Sequence, residues 1–169
     1  MWTEAFLEYL TLERNYSLRT VEEYRDDLNA FESYYKKVDS TLSWETMDGD
    51  VVRDWMVSMM EAGRTATTVN RRLSALRTFY RYLLRRDWIK VDPVRNIQGP
   101  KKKKPLPVFL QESEMNRLLD GDFFGNDFLG KRDKLIVNTF YVTGIRLSEL
   151  TSLNNQDVDM WGGVIRVTG

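Results

Sequence analysis

The chain has 169 residues, 42% of them hydrophobic and 12% aromatic, with no cysteine and no histidine. That suits one domain or two small ones with a real core, and it excludes disulfides, thiolate metal sites and imidazole acid–base chemistry. Formal net charge is zero, yet residues 64–104 carry thirteen Lys/Arg against two acids, Asp87 and Asp92, a local net of +11 that the acidic remainder cancels. An excess of that size in one segment points to an acidic partner, with nucleic acid the first candidate.

The opening "MWTEAFLEYL" is acidic and amphipathic, unlike a secretion signal, and no apolar run reaches membrane-spanning length. It predicts a first helix over 3–14, with Phe6, Leu7 and Leu10 at helical spacing, which "NYS" breaks. Ser17 or Thr20 caps a second helix to about residue 37, striped by Val21, Tyr24, Leu28, Phe31 and Tyr35. A third follows "DGD", carries Val51, Val52, Trp55, Met56 and Met59, and stops at Gly63.

The fourth helix, "TATTVNRRLSALRTFYRYLLRRD", is the informative one. At 100° per residue Val69, Leu73, Leu76, Tyr80, Leu83 and Leu84 form one stripe. Asn70, Arg71, Ser74, Arg77, Thr78, Arg81 and Arg85 fall opposite, with no acid among them. A solvated face ordinarily mixes signs, and Arg77, Arg81 and Arg85 in consecutive i,i+4 steps cost roughly a few tenths of a kcal/mol per pair. A polyanion relieves that cost, and Arg, Ser, Thr and Asn suit phosphate and base-edge contacts in a major groove. These seven residues are the candidate DNA-binding set.

Asp92-Pro93 ends the helical region. Gly99-Pro100, then Lys101, Lys102, Lys103 and Lys104, then Pro105 and Pro107, read as an extended basic linker over 101–106 that follows a DNA backbone. The organisation is therefore a helical domain over 1–100, the linker, and a second segment over 107–169.

In that second segment "ESEMNRLL" is a short amphipathic helix and "DGDFFGNDFLG" a loop. "KRDKLIVNTFYVTG" is apolar on most sides, so a buried helix is expected, which makes Tyr141 a core residue, as the apolar stripe makes Tyr80. "LSELTSL" is another short helix, "NNQDVDMWGG" a turn, and "VIRV" the one convincing strand. A lone strand is unstable without partners, so the segment reads as the opening part of an incomplete domain. At its centre, "TGIRLSEL" sets Arg146 two residues past Gly144 and three before Glu149. Taken alone, that is equally an ion pair at a helix junction.

Three stretches carry a family resemblance: "FLEYLTLERNYSLRTVEEYRDDLNAFESYY", "TVNRRLSALRTFYRYLLRRDWIKVDPVRNIQGPKKKKPLPVFLQESEMNRLL" and "RDKLIVNTFYVTGIRLSELTSLNNQDVDMWGGVIRVTG". In this order and spacing the chain resembles the tyrosine recombinases (phage integrase family), most of all the Xer-type site-specific recombinases. The resemblance implies a mainly α fold: a four-helix, SAM-like core-binding domain, followed by the N-terminal part of a mixed α/β catalytic domain. It implies DNA strand breakage and rejoining through a 3′-phosphotyrosyl intermediate. Arg146 matches the first catalytic arginine, with Glu149 orienting it and Gly144 allowing the sharp turn. Arg132 and Asp133 match as a structural ion pair. No metal or other cofactor is implied. The implied partners are double-stranded DNA and further protomers, four on paired sites, with no membrane, in the bacterial cytoplasm at the nucleoid. The family's nucleophilic tyrosine falls beyond residue 169, and none of the eight tyrosines here takes its position, so this chain alone is expected to bind DNA weakly at best and to cleave nothing. Two alternatives remain open: a non-catalytic DNA-binding protein of the same fold, and a helical protein-interaction module.

Overall fold

The computed structural model describes residues 2–102, 106 and 108–167. Lys103 and Lys104, expected in the basic linker, lie outside the described residues. The chain forms two compact units, Met1–Pro105 and Leu106–Gly169, and each is described by itself.

The first unit holds α1 (Trp2–Leu12), α2 (Leu18–Val38), α3 (Gly49–Glu61) and α4 (Ala66–Arg85). Local chemistry sets the starts. The Ser17 hydroxyl accepts from the Thr20 N–H, Asp48 from the Asp50 and Val51 N–H groups, and Thr65 from the Thr68 N–H. Gly63, at φ 77°, follows the end of α3 in the left-handed region. α1 packs on α2 and α4, α2 on α3 and α4, and α3 on α4. Because α4 touches all three others, it is buried on more than one stripe: Phe79 and Tyr82 join Val69, Leu73, Leu76, Tyr80 and Leu83 in the interior. Leu84, expected in the stripe, is instead 38% exposed in the last turn of α4, while Tyr82, on the other side of the helix, packs toward α1 with its hydroxyl donating to the Ala5 carbonyl (3.3 Å).

Two connecting segments also enter this core. Trp44 and Met47, between α2 and α3, are buried, and Trp44 packs edge-on against Phe79 with centroids 4.8 Å apart. After α4 the chain folds back and buries Ile89, Val94 and Ile97. No periodicity marks this stretch.

The second unit holds α5 (Glu112–Asp120), α6 (Phe128–Thr143), α7 (Leu147–Ser152), a 3-10 turn (Asn155–Asp157) and the strands β1 (Val158–Asp159) and β2 (Val164–Ile165). Two expectations change here. The expected lone strand is one arm of an antiparallel hairpin, pairing Val158 with Ile165 and Asp159 with Val164. Asp159 Oδ1 accepts from the Trp161 and Gly162 N–H groups and closes the turn, so part of the expected turn segment is strand. The expected burial of α6 does not hold either. No α6 residue is buried, Leu135 is 65% exposed and Tyr141 is exposed. The apolar surface of this 16-residue helix is wider than six-residue α7 and two-residue strands can cover. Tyr80, by contrast, is fully buried as expected.

Candidate functional site

The polar side of α4 divides into residues turned outward and residues turned onto the chain itself. Ser74, Arg81 and Arg85 are exposed. Thr78 is partly so, and its hydroxyl donates back to the Ser74 carbonyl at 2.9 Å. Arg81 Nε donates to the Arg77 carbonyl (3.1 Å). Arg85 Nη2 donates to the Tyr9 hydroxyl (3.0 Å), and its guanidinium carbon sits 5.5 Å from that ring's centroid, a cation–π distance.

Arg71 makes the firmest contact of the set. Its Nη1 and Nη2 donate to Asp27 Oδ2 and Oδ1 at 2.7 and 2.8 Å, a bidentate pair. The Asp27 side chain on α2 is 3% exposed, while that of Arg71 is 48% exposed. Arg72 Nε lies 3.5 Å from the same carboxylate. Burial pushes the Asp27 carboxyl up, while Arg71 and Arg72 pull it back down. Glu23 Oε2 also lies 3.9 Å from Arg71 Nη1, so two guanidinium groups face two carboxylates and the outer edge of Arg71 stays half-open to solvent. Asp27 was missed in the sequence, although the signal was there. It lies three residues after Tyr24 and four before Phe31, within the apolar stripe of α2.

Asn70 and Arg77 spend their donors on backbone. Asn70 Nδ2 donates to the Ala66 carbonyl (2.6 Å) and the Pro100 carbonyl (2.9 Å), and Arg77 Nη2 donates to the Ile97 carbonyl. Lys101 and Lys102 follow directly and are exposed.

In the second unit α6 ends at Gly144, at φ 64°, whose N–H donates to the Phe140 carbonyl. Ile145 alone separates it from Arg146, the N-cap of α7, at φ −73° and ψ 152°. Glu149, at the third helical position, closes a capping box: its Oε2 accepts from the Arg146 N–H at 2.8 Å and its Oε1 from Arg146 Nη1 at 2.6 Å. The backbone N–H first, and the guanidinium after it, hold the Glu149 carboxyl below the usual glutamate range. The Glu149 side chain is 13% exposed and that of Arg146 79%. The guanidinium therefore stands at an open cleft of about 630 Å³, lined also by Asn138, Thr143, Gly144 and Gly163. A permanently charged planar donor held by a fixed carboxylate suits a tetrahedral oxyanion. Arg132 and Asp133 form a half-exposed ion pair at 2.7 Å.

Residues 3–87 match the model of the phage integrase N-terminal SAM-like domain. The chain belongs to the phage integrase family. Relatives within that family align along nearly its whole length. Tyrosine recombinase XerC of Halalkalibacterium halodurans is 37% identical over 168 residues, 99% of this chain and 55% of that protein. Tyrosine recombinase XerC of Pelotomaculum thermopropionicum is 39% identical, with 98% and 55% covered, and tyrosine recombinase XerD of Oceanobacillus iheyensis is 32% identical, again with 98% and 55% covered. The chain thus spans about half the length of the curated relatives it matches. Among solved structures, the Tn1549 transposon integrase in complex with circular intermediate DNA shares the fold, with a TM-score of 0.74 at 19% identity over 99% of this chain and 53% of that one. No helix among the described residues is long and apolar enough to cross a membrane.

Proposed function

We propose that this chain is the N-terminal half of a site-specific DNA recombinase, with residues 1–100 a DNA-gripping core-binding domain and residues 107–169 the opening part of the catalytic domain. The observation that carries the reading is the Arg146–Glu149 pair, an exposed guanidinium fixed by one carboxylate at the mouth of a cleft.

In this reading a tyrosine hydroxyl from the longer protein attacks a DNA phosphodiester. The tyrosyl O–P bond forms as the P–O5′ bond breaks, leaving a 3′-phosphotyrosyl link and a 5′-hydroxyl. Negative charge gathers on the non-bridging oxygens, and Arg146 meets it with donors already in place. Glu149 positions that guanidinium through its two hydrogen bonds. On the first unit, Ser74, Thr78, Arg81, Arg85 and the outer edge of Arg71 contact the duplex, and the lysines that open the linker follow its backbone. The partners are double-stranded DNA and three further protomers on paired sites, at the nucleoid of a bacterial cytoplasm.

Two measurements test this. Duplex affinity of the chain, followed against salt, is expected to fall with a slope of about −0.9 in log K per phosphate contacted; absence of duplex binding at low salt favours a protein-interaction module. In the full-length protein, Arg146→Ala is expected to cut formation of the covalent protein–DNA adduct by about 10²-fold or more while leaving binding near wild type. Adduct at the wild-type rate removes Arg146 from the chemistry and leaves a DNA-binding protein of the same fold.

A further inference from the structure

Asn70 and Arg77 are seven residues apart on α4, so they share a stripe separated by about 10 Å of helix. Their carbonyl partners, Pro100 and Ile97, are three residues apart and run the opposite way. Three residues cover about 10 Å only when nearly extended. Residues 97–100 therefore form a strap lying antiparallel along α4, anchored at its start by buried Val94 and Ile97 and at its end by the Asn70 amide. Gly99 is part of the fit: a Cβ there would stand 2.1 Å from Asn70 Oδ1. The Asn70 amide cannot swing aside without breaking its bonds to the Ala66 and Pro100 carbonyls.

We propose that Asn70, Arg77 and Gly99 form a clasp that sets where the basic linker leaves α4, and that Asn70 and Arg77 act on DNA through that placement, not by touching it. Each donates to the segment that folds back over α4, Asn70 to the Pro100 carbonyl and Arg77 through one of its five N–H groups to the Ile97 carbonyl, and Lys101 begins one residue past the Asn70 contact. Holding that exit removes freedom which two lysines on a loose tether lose on binding a phosphate backbone. The clasp's consequence for DNA rests on the DNA-binding reading above, while its existence does not.

The test uses the 169-residue chain with Gly99→Ala, and with Asn70→Leu as a second route to the same break. Without DNA, trypsin cleavage after Lys101 is followed by mass spectrometry. Several-fold faster cleavage in both variants, at unchanged global unfolding, is expected, and an unchanged rate overturns the clasp. With DNA, Gly99→Ala is expected to weaken duplex binding by about 3- to 10-fold and to reduce the salt slope by about one to two, the share of one or two linker lysines. In a background with Lys101, Lys102, Lys103 and Lys104 all changed to Gln, the same substitution is expected to change neither. A full effect persisting in that background would mean that the α4 stripe touches DNA itself, and it overturns the indirect role. Should the wild-type chain bind no duplex, the function reading falls along with the role assigned to the clasp on DNA, and the cleavage rates alone decide whether the clasp exists.

Discussion

Arg146 donates to Glu149 twice, from its backbone N–H and from its guanidinium, so one carboxylate both caps α7 and aims the cation. The Glu149 carboxyl is held below the usual range, by the backbone N–H above all. A group depressed in the folded state contributes stability that is present above its unfolded value, about 4.3 for glutamate, and lost as pH falls through its own lower value. Carbon-detected NMR of the Glu149 carboxyl is expected to show a midpoint below that of an ordinary glutamate, with the Arg146 amide shift moving in step. A midpoint at or above the ordinary value would break the assignment.

Asp27 and Arg71 form the pair most sensitive to truncation in the first unit. Arg71→Ala leaves a buried carboxylate with only Arg72 nearby, at 3.5 Å. Removing one partner of a fully buried pair costs about 3–5 kcal/mol. Water can reach the half-exposed Arg71 position, which lowers the expectation to about 2 kcal/mol at pH 7. The sign with pH follows from burial, which already pushes Asp27 up. A carboxyl raised in the folded state contributes stability fully present below its unfolded value, about 3.9, and lost as pH rises through its folded value. Without Arg71 the carboxyl rises further. The destabilisation relative to wild type is thus expected to shrink as pH drops toward 4, read by urea unfolding with tryptophan fluorescence. A penalty independent of pH would mean that packing by the Arg71 stem outweighs its charge.

Leu76 and Leu84 look alike on a helical wheel but differ in the fold. Leu76 is fully buried and Leu84 is 38% exposed. Leu76→Ala is expected to cost about 2–5 kcal/mol, as for other enclosed leucines, and Leu84→Ala less than about 1 kcal/mol, in the range of surface changes. Equal losses in urea unfolding would refute the packing around α4.

The four helices of the first unit were legible because their signals are local: apolar residues three and four apart, a hydroxyl or carboxylate before the first turn, and a glycine after the last. The Arg146–Glu149 pair was legible for the same reason, at i,i+3 beside a glycine. What could not be read depends on partners far along the chain. Ile89, Val94 and Ile97 are buried only because the chain doubles back, and no period announces it. The backbone contacts of Asn70 and Arg77 could not be read either, because their carbonyl partners lie 30 and 20 residues away. The burial of α6 was overestimated because apolar content reports what a helix can bury, and not what packs against it.

Gly144 tests whether the turn before Arg146 needs glycine for its backbone or for space. Its φ is 64°, and a Cβ added there would meet nothing within 4 Å. Sterics with neighbours therefore drop out, and only the left-handed backbone remains, at about 1–2 kcal/mol for a residue with a Cβ. Gly144→Ala is expected to show that cost as faster amide exchange at Ile145 and Arg146, where the turn opens, with the first unit unaffected. Asparagine tolerates this region better, because its side chain can hydrogen-bond locally, so Gly144→Asn is expected to fall between wild type and alanine. If alanine and asparagine loosen the two amides equally, backbone conformation is not what this position demands. The placement of Arg146 would then rest on the Glu149 box alone.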